Sequence, residues 1–264
     1  MFGHGVFGRK KNRDGFAQSA KDRDSIGPDG TCKDALKNPP ANETAAPGPE
    51  EADEEQACSA LIDMIRSHYR KIEADRTENL LNALGALAGF GCQVGLRENL
   101  IDNGSETEET LFITIKTENE ERFFTGDKLN EALFGDACSG ALSVWSLVSR
   151  PLRDIGGELL DLEDMVRRSA AAMGTAVYGV PKLPQSHLPD ELPIEALQQH
   201  WGQARALMED LGVASAGFAL VPAFAIGRII REQQEMLSPY VGVKVAMEAV
   251  VPMSRVDPKV ILKS

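Results

Sequence analysis

The chain has few of the residue patterns that mark a catalytic or metal site. Its 264 residues include four cysteines and four histidines. Cys32, Cys58, Cys92 and Cys138 form no C-x-x-C pair, which argues against a zinc or redox motif. His4, His68, His187 and His200 occur in no H-E-x-x-H or E-x-x-H pair, so a helical metal site has no support. No G-x-S-x-G nucleophile elbow is present. Basic excess is also missing. The formal net charge is -12 and the pI about 4.9, the wrong sign for neutralising a phosphate backbone, and no nucleic-acid partner is expected. The basic start, MFGHGVFGRKKNRDG, is not followed by the apolar core of a signal peptide, so a reducing, cytoplasmic setting is expected.

A long apolar run is missing too, and the nearest approach to one raises the main question. Leu80–Leu96 reads LLNALGALAGFGCQVGL, with glycines at 85, 89, 91 and 95. A membrane span needs about 20 predominantly apolar residues. This run has 17, includes Asn82 and Gln93, and ends at Arg97-Glu98. Val213–Gly227 is shorter still and contains Pro222. Membrane contact is therefore disfavoured. The spacing G-x-x-x-G-x-G is not the dinucleotide fingerprint, no strand leads into it and no Lys-Ser/Thr follows, which removes a phosphate loop. Close helix packing remains. Gly85, Gly89, Gly91 and Gly95 would let another backbone approach, and a mid-helix glycine costs roughly 0.5–1 kcal/mol against alanine, which a contact must offset. That neighbour could lie in the same chain or in a self-association interface.

What the sequence does contain is helical periodicity. Residues 1–53, rich in Gly, Pro, Asp, Lys and Ala, offer little apolar surface to bury and read as a disordered tail. Its Phe2, Phe7 and basic residues Arg9, Lys10, Lys11 and Arg13 could engage a partner. From Glu54, Cys58, Leu61, Ile65, His68 and Ile72 make one helical stripe. A second helix is expected over 77–100, with Thr77 as N-cap. Leu111–Lys116 and Arg122–Thr125, rich in aromatic and β-branched residues, predict a hairpin. A helix is expected to run from an Asp127 N-cap to Val148 and to stop at Pro151. Further helices are expected over roughly 157–179 and 193–211, then over 214–237 with a kink near Pro222, and over 239–250. Residues 251–264 read as irregular. The expected fold is mainly α: a compact multi-helix domain over 54–255 with one β-hairpin and a disordered N-terminal tail.

Chemistry has few candidates. Glu158, Asp161, Glu163 and Asp164 read as complements to a helix dipole. Glu232 and Glu235 beside Arg228 and Arg231 read as a solvated face. Cys92 or Cys138 as a nucleophile would need a base supplied by the fold. The most distinctive pattern is FFTGDKLNEALFG. There a strand passes directly into a helix, and Thr125, Asp127 and Asn130 could line a small polar pocket. A tight turn capped by Asp127 is the plainer reading. No cofactor and no metal are expected. The leading expectation is a bacterial, cytoplasmic interaction or regulatory protein that binds an unknown protein partner or itself. The alternatives are a peripheral membrane protein and an enzyme with its site at 125–130.

Overall fold

A computed structural model describes residues 49–135 and 142–262. The expectations for residues 1–48, for Cys138 and for the end segment 263–264 lie outside the described residues. Among the described residues the protein is mainly α-helical, with one two-stranded antiparallel hairpin.

The centre is a helix, α2, spanning Thr77–Leu96. Every residue from Asn79 to Gly95 is buried. The first helix, α1 (Pro49–Lys71), starts ahead of the expected onset at Glu54, so residues 49–53 of the expected tail are helical. Its Leu61, Ile65 and Tyr69 enter the core. Thr77 is the first helical residue, not the N-cap, which is Arg76 with no capping side chain. Beyond Leu96 the helix loosens into a π-helical turn, Arg97–Asp102.

The small residues of α2 are used within the chain. A Cβ at Gly85 would collide with the Ala246 carbonyl oxygen, and one at Gly89 with that of Val250. Both oxygens belong to α10 (Pro239–Met253). A Cβ at Gly91 would collide with the Phe218 carbonyl, and one at Gly95 would sit 2.6 Å from that of Ser215. Ser215–Phe218 is a 3-10 turn. The glycines thus admit two neighbours, α10 and that turn.

Around α2 the chain lays down the rest. A one-turn helix, α3 (Glu108–Leu111), opens on a Thr107/Thr110 capping box and leads into β1 (Ile113–Lys116). β1 pairs antiparallel with β2 (Arg122–Thr125), Ile113 opposite Thr125 and Lys116 opposite Arg122. The helix expected over 127–148 is interrupted. α4 spans Asp127–Phe134, and α5 restarts at Val144–Val148 behind a Ser143 N-cap. Pro151 does not end a helix. It sits in the first turn of α6 (Arg150–Asp154), where no backbone donor is needed. α7 (Leu162–Ala172) begins at an Asp161 N-cap whose carboxylate accepts from the Asp164 amide at 2.9 Å.

α8 (Pro193–Asp210) ends in a Schellman arrangement. Gly212 adopts φ +75°, its N–H donates to Glu209 and the Val213 N–H to Met208. α9 (Leu220–Glu232) has Pro222 in its first turn, so the expected kink is absent; the proline displaces no helical hydrogen bond there. α10 runs past the expected end at Val250, and α11 (Pro258–Ile261) closes a segment that reads as irregular in the sequence.

Thr77–Asp102 is the one helical segment among the described residues long and apolar enough to cross a bilayer, and 94% of its apolar window is buried inside the protein. Its apolar surface is already covered by α8, α9, α10 and the 3-10 turn.

The close approach predicts a contrast between glycines. Gly89→Ala should lower stability by about 2 kcal/mol, since backbone must move to admit the methyl group. Gly202→Ala, in α8 with nothing near its Cβ position, should raise it by roughly 0.5–1 kcal/mol. Urea unfolding midpoints measure both; equal effects would contradict the packing account.

Candidate functional site

The strand-to-helix turn is built by close approach. A Cβ at Gly126 would lie 2.6 Å from the Leu111 carbonyl oxygen, so only glycine lets β2 pass directly into α4 at this point. Gly126 is the N-cap of α4 and no side chain caps that end, which corrects the expectation of an Asp127 cap. Asp127 is exposed at the first helical position. Thr125 and Asn130 instead face an open recess of about 480 Å³ between α4 and α7. The structure therefore brings two of the three expected site residues together and leaves Asp127 off the recess lining.

The recess is also lined by Arg255, in the segment between α10 and α11. Its main chain is held from two sides. The buried Gln93 amide of α2 donates to the carbonyls of Ser254 at 2.8 Å and Val256 at 3.2 Å. From the other side the Phe124 amide of β2 donates to the Arg255 carbonyl at 2.9 Å, and Phe123 bridges Val256. So clamped, Arg255 is 4% exposed, and its Nε has no hydrogen-bond partner. Burial pushes its pKa down from the usual arginine value, against a smaller opposing effect of Tyr178. Nothing in the sequence marks this arginine. Asp257, two residues on, looks like its partner, but the Asp257 carboxylate caps α11 by accepting from the Lys259 amide at 3.0 Å.

Other charges nearby are matched. Glu108 takes Arg97 at 2.6 Å and Arg122 at 2.5 Å. Burial raises its pKa, but the two guanidinium groups outweigh that and hold it below the usual carboxylate value. The Arg97 guanidinium also lies over the rings of Phe112 and Phe124, 4.6 and 4.5 Å from their centroids. Glu248, 5% exposed on α10, pairs with Arg168 of α7 at 2.8 Å. A second recess is lined in part by Phe123, Tyr178, Met253 and Val256. Its Arg122 already serves Glu108 and lies 3.9 Å from Asp257.

A separate polar cluster joins α1, α2 and the connector before α8. The Tyr69 hydroxyl donates to Glu191. Asn79 donates to Asp190 at 2.7 Å and accepts from the Asp190 amide at 2.8 Å. His68, Tyr69 and His200 pack edge-to-face. His200 is 2% exposed and its Nε2 is unpartnered. Burial, then the neighbouring His68, pushes its pKa down to about 4. Burial also raises Tyr69 and Glu191, the tyrosine further by its bond to the carboxylate. These shifts favour neutral forms and belong to a fastening between elements. Cys92 is fully enclosed as well, its thiol pushed up to about 12 by burial, which removes it as a nucleophile at neutral pH.

Comparison with known proteins finds no matching family model, no matching curated protein and no matching solved structure.

The His200 environment generates a pH dependence. The unfolded imidazole protonates as pH falls through about 6.5, while the folded one resists until about 4. The stabilisation is therefore complete above the unfolded value and is lost as pH falls through this window, by roughly 3 kcal/mol. Glu191, with its folded pKa raised, contributes the opposite slope, so the comparison must isolate His200. Urea midpoints at about pH 7 and pH 5 should converge in His200→Leu relative to the parent chain. An unchanged pH slope in the variant would contradict the assignment.

Proposed function

We propose that the chain acts by binding, as a cytoplasmic interaction or regulatory protein, and that its contact surface is the free edge of β1, paired with a second copy. The observation that carries this reading is the hairpin's unfinished side. Among the described residues β1 pairs only with β2. The Thr117 amide donates to Glu121 within the hairpin. The alternation of an antiparallel ladder then turns the backbone groups of Thr114 and Lys116 outward. Ile113 on the same strand is 66% exposed. Edges of this kind are normally covered or blocked, because they accept another strand.

A second copy fits the edge by symmetry. An antiparallel two-fold centred on Ile115 places Thr114 of each copy opposite Lys116 of the other, lets their outward N–H and C=O groups pair, and sets the two Ile115 side chains together. It also keeps the two lysines apart. The glycine faces of α2 are not offered as the contact, because α10 and the 215–218 turn occupy them.

Size-exclusion chromatography with light scattering on the full chain should give a dimer. Thr114→Pro should give a monomer with unchanged circular dichroism, since the N–H it removes lies on the free edge and not in the hairpin ladder. A parent chain that stays monomeric at its highest soluble concentration, or a dimer insensitive to Thr114→Pro, overturns the reading.

A further inference from the structure

We infer that the recess between α4 and α7 is a binding site for a small organic monocarboxylate, whose head group pairs with Arg255. This inference is independent of the β1 contact. It starts from a charge that the fold leaves unmatched. Arg255 is 96% withdrawn from solvent by its 4% exposure, its Nε is unpartnered, and no carboxylate pairs with it among the described residues. An unpaired buried guanidinium is costly, and among the described residues the buried Glu248 is matched by Arg168. The unmatched group lines a recess of about 480 Å³, within the range of small-molecule sites.

The other lining residues define the ligand. The Thr125 hydroxyl and the Asn130 amide are neutral donors on the same wall system as Arg255. A planar guanidinium pairs with a carboxylate through parallel hydrogen bonds, and the two neutral donors supply the remaining oxygen contacts. Phe134, Leu162 and Val166 make the apolar part of the lining, which suits a hydrocarbon body attached to the head group. Glu163 also lines the recess. Its negative charge opposes a dianion more than a monoanion, which selects carboxylate over phosphate. Arg167 is not counted toward the ligand, since it pairs with Asp164 at 2.9 Å.

The test uses the full chain with phenylacetate, hexanoate and inorganic phosphate as probes. Titration calorimetry and the 15N-resolved Nε–H signal of Arg255 are the readouts. Both carboxylates should bind and shift that signal, with phosphate weaker. Arg255→Gln should weaken carboxylate binding by about tenfold or more. Thr125→Val, which leaves the buried cation in place, should weaken it several-fold and guards against a folding defect in the arginine variant. Glu163→Gln should tighten phosphate binding more than carboxylate binding. The inference is overturned if neither carboxylate binds, if phosphate binds as well as they do, or if Arg255→Gln binds them as the parent does.

Discussion

Everything in this fold is arranged around one contact, the backbone of α10 lying directly on α2 at Gly85 and Gly89. An ordinary helix pair keeps its axes about 8–10 Å apart because side chains intervene. Here a methyl group at either glycine would collide with a carbonyl oxygen of Ala246 or Val250. Glycine lowers helix propensity at both places, and the dispersion contacts of two closely apposed helices offset that loss. The remaining helices pack around this pair. Gly91 and Gly95 seat the 215–218 turn on α2 in the same way. The turn leads directly into α9, and that fixes where α9 can start.

The same contact reaches the recess. Because α10 lies flush on α2, its last turn arrives beside Gln93, one of three buried amide side chains on that helix. Gln93 holds the carbonyls of Ser254 and Val256, and β2 holds the carbonyl of Arg255 between them. The chain leaving α10 is thus pinned on both sides. Asn82 and Gln93 first read as interruptions of an apolar run. Asn82 binds the Glu191 carbonyl and Gln93 clamps the end of α10, so both are fastenings.

Much of this was legible in the sequence because it is written in local pattern. The glycine run implied a close neighbour, and the β-branched and aromatic residues of 111–125 implied the hairpin. What failed did so for tertiary reasons. Helical periodicity runs from Leu129 through Leu133 and on toward Val144 and Val148, so a single helix was expected. Instead α4 ends at Phe134 with Gly135 after it, and α5 begins behind its own Ser143 cap. In sequence Pro151 and Pro222 suggest a stop and a kink, yet both sit in first turns, where a proline lacks nothing. Residues 251–262 read as irregular because their order comes from Gln93 and β2, far away in sequence. At the candidate site, Thr125 and Asn130 were found from the strand-to-helix pattern. Arg255 was not, since its importance lies in the partner it fails to have.

The polar interior divides into groups that are neutral or matched and one that is neither. Tyr69 and His200 are shifted toward uncharged forms, so their burial needs little compensation, and the Glu191 carboxyl accepts from the Tyr69 hydroxyl. Glu108 and Glu248 are met by arginines at hydrogen-bonding distance. Arg255 keeps its charge through any accessible pH because a guanidinium cannot be neutralised by a modest shift. A methionine or leucine of similar volume at the same place would remove the desolvation cost without disturbing the main-chain clamp, which uses only carbonyl groups of residues 254–256. Folding alone therefore supplies no reason for a charge at this position. An anion arriving in the recess does, because it converts an uncompensated buried cation into a paired one and returns the desolvation cost as binding energy.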